Sequence, residues 1–153
     1  MKIEFGVTLY SRHEIKTLDF GLESIFDKTK KDISATLYLA RHTDDLHDEC
    51  AKLAEKYNLN FEIKGDNSIV DYNNELRHRA FDIKNADCAI TIQPDAVFLK
   101  KDIFDSVVDE ASQFFDSKCM VLVSTAHPDD NLPLAVTIHT KLGWEKIGCE
   151  DIN

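Results

Sequence analysis

A three-layer α/β/α chain, with helices on both faces of a mostly parallel sheet, is the architecture this sequence predicts. Three observations carry the prediction. Apolar spacing switches in order between the strand period and the helix period along the chain. The runs that read as strands are short and rich in β-branched and aromatic residues. The intervals between them are long enough for crossover helices, which parallel strands need to return the chain.

The elements follow in sequence. IEFGVTLY at 3–10 is a strand, and Leu18, Leu22, Ile25 and Phe26 recur at about one helical turn. ATLYLA at 35–40 is a second strand, and Leu46, Cys50, Leu53, Ala54 and Tyr57 line one helix face. LNFEIK at 59–64 is a third strand, before a helix marked by Ile69, Tyr72, Leu76, Ala80 and Ile83. Residues 88–92 form a fourth strand. Ile103, Val107, Val108, Ala111, Phe114 and Phe115 then give the clearest amphipathic helix, and CMVLVS at 119–124 a further strand. After it come a polar loop, AHPDDNLP, a strand at 135–140 and a short helix or turn running into the terminus.

The chain has 153 residues, 43% apolar and 30% charged, with five Gly and three Pro. At roughly 100 to 200 residues per domain this predicts one domain over 1–153 with a real core, and excludes disordered, collagenous and low-complexity classes. Twenty-eight acids against 18 bases give a formal charge of -10, which argues against nucleic acid as a partner. No apolar run is long enough to span a membrane, and the first residues lack a signal-peptide layout, so a soluble cytoplasmic protein is expected. Cys50, Cys88, Cys119 and Cys149 form no CxxC pair, so reduced, mostly buried thiols are expected in place of a zinc knuckle or a redox dithiol.

In an open parallel sheet, ligands sit at the carboxyl ends of the strands. The exits here are polar: Tyr10-Ser11-Arg12-His13, Arg41-His42-Thr43-Asp44-Asp45, Lys64-Gly65-Asp66-Asn67 and Gln93-Pro94-Asp95. Together they favour a polar ligand. Neither GxGxxG after the first strand nor a Walker pattern is present, so nucleotide binding has to use another arrangement. Outside these exits, Trp144 reads as a packing residue.

The stretch RHRAFDIKNADCAITIQPDAVFLKKDIF, residues 77–104, carries a resemblance. It resembles the central portion of a family-2 glycosyltransferase of the GT-A fold, the nucleotide-diphospho-sugar transferase type. In that family a helix with an Arg-Asn pair leads into a strand of small and aliphatic residues ending in DxD. Arg77-His78 falls on the pair, residues 86–92 on the strand and Gln93-Pro94-Asp95 on DxD, without a gap. The resemblance covers roughly residues 3–110.

It implies an inverting glycosyltransferase that binds a nucleoside diphosphate sugar and passes the sugar to a hydroxyl of a sugar, protein or lipid acceptor. Thr8, Tyr10 and Arg12 would face the base and ribose. Thr43, Asp44 and Asp45 would contact the base, with Asp66 and Asn67 as looser contacts. Arg77 would stand near the phosphates or support the loop. Asp95 would ligate a divalent cation, Mn or Mg, that neutralises the leaving diphosphate. Gln93, in place of the first carboxylate, brings no charge, so metal affinity should be lower than for two acids.

For the catalytic base two registers stay open. In one, Glu150-Asp151 matches the family's acidic pair and Asp151 is the base; in the other, WEKIGCED matches the preceding loop, and the base lies beyond Asn153 in a longer chain. Two alternatives stand beside the transferase. A non-catalytic nucleotide-sugar-binding module is favoured by Gln93. A zinc-dependent N-acetylglucosaminyl deacetylase is suggested by AHPDDN at 126–131, where His127, Asp129 and Asp130 resemble that family's motif. Its usual place after the first strand is not kept, and His139 is the sole histidine downstream.

Overall fold

The computed structural model describes residues 1–39, 44–63, 69–98, 102–123 and 136–148. Six strands form one sheet: β1 (Lys2–Leu9), β2 (Asp32–Leu39), β3 (Asn60–Ile63), β4 (Cys88–Ile92), β5 (Met120–Val123) and β6 (Val136–Thr140). The helices are α1 (His13–Phe26), α2 (Asp44–Tyr57), α3 (Ile69–His78), α4 (Ile103–Ser112) and α5 (Lys141–Ile147). The sheet order is β3-β2-β1-β4-β6-β5. β1, β2, β3 and β4 pair in parallel, and β6 runs antiparallel between β4 and β5. The sequence places every strand within a few residues, but the insertion of β6 between its two predecessors is a long-range pairing that local periodicity does not encode.

The sheet has two chemically different faces, written in β1 as strict alternation. Ile3, Phe5, Val7 and Leu9 are at most 1% exposed and join Leu37, Ile90 and Ile138 in the main core. Leu18, Leu22 and Ile25 of α1, Cys50 and Leu53 of α2, and Phe104 and Val108 of α4 close over them. Glu4, Gly6 and Thr8 point the other way, beneath α3. There Leu76, Ala80, Phe81, Ala86 and Ala89 make a smaller cluster, with Trp144 of α5 packed on it. Three layers result, as the sequence predicts.

Residues 69–83, read from sequence as one helix, divide in two. α3 ends at His78 and a π-helical turn runs from Arg79 to Ile83, its widened ring closed by the Lys84 N–H on the Arg79 carbonyl at 2.9 Å. Arg79 reaches across the sheet from this turn. It donates to Thr36 Oγ1 at 2.7 Å and to Glu75 at 3.2 Å, and it also pairs with Glu62. Lys84 lies 3.0 Å from the fully buried Glu4. Arg79 and Lys84 are therefore each held against acids, the condition for burying such charges.

His139 on β6 is 5% exposed, and its Nε2 has no hydrogen-bond partner. Burial, and secondarily Arg77, push its pKa down from 6.5 to about 4. Between those values the unfolded chain binds a proton that the folded chain refuses, so stability falls as pH falls through the window, by about 2 kcal/mol at pH 5. Thermal melts from about pH 7 to pH 5 should show that loss, flattened in His139→Gln. An equal acid slope in the variant would mean that other groups cause it.

Candidate functional site

A cleft of about 610 Å³ opens where β1 and β4 end, between α3 and the first turns of α1. Its floor is one row of small residues. Gly6 pairs with Thr91, which pairs with Thr137, while one step along β1 Thr8 pairs with Tyr38. All five line the cleft. Gly6 keeps the floor low under α3, since a Cβ there would stand 2.9 Å from the Leu76 methyl.

One wall is aromatic. Tyr38 of β2 and Tyr72 of α3 lie with ring centres 5.4 Å apart, tilted by 35°, and Tyr10 packs against the pair. The Tyr38 hydroxyl is buried without a hydrogen-bond partner. Its pKa is driven well above the usual phenol value, chiefly by burial, and the hydroxyl therefore stays neutral. Tyr10 is also raised, by burial and then by Glu14. Tyr38 and Tyr72 are each 1% exposed, so the flat, amphipathic face this wall offers a ring-shaped ligand is that of the half-buried Tyr10.

The opposite wall is the start of α1, with His13, Glu14 and Thr17. Arg12 provides no side-chain cap for this helix. Glu14 satisfies the turn in its place, accepting the N–H of Tyr10 at 2.7 Å and of Ser11 at 3.0 Å. Two backbone donors of this strand-to-helix turn, those of Tyr10 and Ser11, are thus taken by the chain's own carboxylate.

The rim is Gln93, Pro94 and Asp95, directly after β4. Asp95 is exposed. Among the described residues that line the cleft there is no Lys or Arg, and the carboxylates are Glu14 and Asp95. With Glu14 engaged on the backbone, Asp95 is the remaining carboxylate on the described lining. Nowhere among the described residues do three or more His, Cys, Asp or Glu gather to hold a metal ion. A cation here would need most of its ligands from the bound molecule and water, a mode that suits Mg-like ions carried on phosphates.

Of the residues singled out in the sequence, Thr8, Tyr10, Gln93 and Asp95 come together on this cleft. Arg12 does not line it; its side chain is 67% exposed and pairs with Glu49 of α2 at 2.6 Å. Arg77 lies behind the α3 wall, 6% exposed. Its guanidinium carbon is 5.9 Å from the centre of the Trp144 ring, and its Nε donates to the carbonyl of Asn73 at 3.2 Å. Asn73 lines the cleft, so Arg77 stands as a support for the wall and not beside the open space. Asp44 and Asp45 begin α2. Thr43, Asp66, Asn67, Glu150, Asp151 and the AHPDDN segment lie outside the described residues. Trp144 packs as expected and donates Nε1–H to Asp82 at 2.8 Å.

Sequence reasoning missed the Thr91 and Thr137 floor, the Tyr38 and Tyr72 wall, and Glu14 and Thr17 of α1, while His13 belongs to the first of the polar exits and does line the cleft. One signal was present. Glu4, Gly6 and Thr8 alternate with apolar residues in a central strand, where parallel sheets buried on both sides read as continuous apolar runs.

No family model matches this sequence, and no curated protein does. Solved structures match over nearly the whole chain. The mannosyltransferase PcManGT from Pyrobaculum calidifontis, in complex with GDP-Man and Mn2+, is 12% identical with a TM-score of 0.69 over 98% of this chain and 47% of its own. A cytidylyltransferase from Leptospira borgpetersenii is 17% identical with a TM-score of 0.67, over 95% of this chain and 63% of its own. S. aureus TarS 1-349, in complex with UDP-GlcNAc, is 15% identical with a TM-score of 0.58, over 87% of this chain and 37% of its own. The chain therefore spans less than two thirds of each of these structures. At such identities the likeness establishes the fold, which is GT-A-like. Among the described residues no helix is long and apolar enough to cross a membrane.

Proposed function

We propose that this GT-A-like chain binds a nucleoside diphosphate sugar in the cleft and acts as a glycosyltransferase on an acceptor hydroxyl. The observation that carries the reading is the meeting of an aromatic wall, a small-residue floor and one exposed carboxylate at the strand ends. The base lies against Tyr10, which the buried Tyr38 and Tyr72 back, sugar and ribose hydroxyls meet the threonines and Asn73, and the diphosphate lies toward Asp95. Because no Lys or Arg lines the described cleft, the diphosphate needs a divalent cation held by Asp95, with the carbonyl of Gln93 as a weak, uncharged partner. When bound, that cation supplies charge to the departing diphosphate. The comparison structures in complex with GDP-Man and Mn2+ and with UDP-GlcNAc support this choice of ligand class. Inversion at the anomeric carbon, an acid at or beyond Asp151 as base, and a cytoplasmic setting belong to the same proposal.

A second reading, a nucleotide-sugar-binding module without turnover, is favoured by one observation: the described lining holds no acid beyond Glu14 and Asp95 to serve as base. Thermal shift with UDP, GDP and CDP, with and without manganese, tests both. A shift with one nucleotide, larger with manganese, is expected; no shift with any of them removes both readings. Release of free sugar from the matching donor then separates transferase from binding module.

A further inference from the structure

Asp95 sits in a segment, residues 93–98, that belongs to no strand or helix, and the structure shows what holds it. The Ala96 N–H donates to the Gln93 carbonyl at 3.0 Å, closing a turn around Asp95. Ala96 itself is buried, and its carbonyl oxygen lies against the Cα of Gly21 on α1. A Cβ at position 21 would overlap that oxygen, a backbone atom with no rotamer to escape into. One turn on, the Ser24 hydroxyl donates to the Gly21 carbonyl at 2.6 Å and accepts the Phe98 N–H at 3.1 Å, so both of its roles are used. The Phe98 ring then packs edge-on against Phe104 of α4, centres 5.4 Å apart. Glycine in the middle of a helix weakens it, and Gly21 is on the buried face of α1, where alanine would otherwise be favoured. What glycine permits here is the close approach of the turn.

We propose that Gly21 and Ser24 are positioning residues for Asp95, setting where its carboxylate stands over the cleft and thereby the affinity for a cation-bound diphosphate. The proposal rests on the reading of the cleft as a nucleotide-sugar site. Neither residue touches the ligand; each acts through the backbone of residues 96 and 98. Carboxylate placement matters because coordination and charge stabilisation fall off within about an ångström of the productive position.

The test uses Gly21→Ala, Ser24→Ala and Ser24→Thr in the full chain, titrated calorimetrically with UDP, GDP and CDP in manganese, beside melts without ligand. For whichever nucleotide the unaltered protein binds, Gly21→Ala should weaken binding about tenfold and raise the manganese concentration needed for half-maximal binding by a similar factor. Its melting temperature should stay within a few degrees, because better helix propensity offsets the displaced turn. Ser24→Ala should fall between, and Ser24→Thr, which keeps the hydroxyl, should restore binding. Unchanged affinity in Gly21→Ala, an unchanged manganese midpoint, or affinity that falls only in step with melting temperature would overturn the proposal while leaving the nucleotide-sugar reading intact. An unaltered protein that binds none of the three nucleotides would instead refute that reading, and this proposal with it.

Discussion

Asp95→Asn is expected to abolish the manganese-dependent part of nucleotide binding while leaving the unliganded protein as stable as before. The substitution keeps shape and removes one charge from an exposed rim position, where surface changes shift stability by no more than about 0.5 kcal/mol. A divalent cation at bonding distance from a carboxylate gains ~3–4 kcal/mol even at the screening of bulk water, so losing that charge should raise Kd about a hundredfold or more. No other described acid on the lining can take over, since Glu14 is engaged with the N–H groups of Tyr10 and Ser11. Gln93→Asp should act in the opposite direction, because it adds a second carboxylate two residues away on the same rim. Titrations of both variants with and without manganese check this directly. If Asn at position 95 binds nucleotide and manganese like the unaltered protein, the cation is held elsewhere and the proposed orientation of the diphosphate is wrong.

Arg79→Met should destabilise the fold by about 3 kcal/mol, read as a fall of roughly 6–12 °C in melting temperature for a chain of this size. Arg79 is 16% exposed and ties Thr36, Glu62 and Glu75 together from the π-helical turn. Burial lowers its pKa, while its hydrogen bond to Glu62 and the nearby Tyr38, Glu62 and Glu4 raise it; the net direction is up. Methionine fills similar volume but leaves Glu62 and Glu75 without that cation, close to the buried Glu4, which pairs with Lys84. Arg79→Lys should recover part of the loss, since it keeps the charge but not the forked geometry that reaches three partners at once. Chemical denaturation of the three proteins would check the order Arg, Lys, Met. A methionine variant as stable as the parent would show that water already satisfies the acids and that the pairing contributes nothing net.

Much of the fold was legible in the sequence because the signals that define an element are local. The fourth strand, residues 88–92, is bounded in the structure as its apolar run predicts, and the stripe of Leu18, Leu22 and Ile25 is the buried face of α1. Ile69 to Ile83 misled for an equally local reason. The apolar spacing continues through the π-helical turn, and nothing in the spacing marks the one wider ring that swings Arg79 onto the sheet. Arg12 and Arg77 show the same limit at the site. Position at a strand exit or on a helix says that a side chain is near the ligand end; it does not say that one guanidinium pairs with Glu49 and the other stacks beneath Trp144.

What the sequence alone determined is the order and kind of the elements, the parallel character of most of the sheet, and the strand end that carries Gln93 and Asp95. These follow from backbone periodicity and the burial of apolar faces, which act over a few residues at a time. Only the tertiary structure decided that Gly6, Thr91 and Thr137 form one floor, that Glu14 accepts the N–H groups of Tyr10 and Ser11, and that α1 holds the Asp95 turn through Gly21 and Ser24. Those relations join residues far apart in the chain, and they exist only once strand pairing and helix docking have brought them within contact distance.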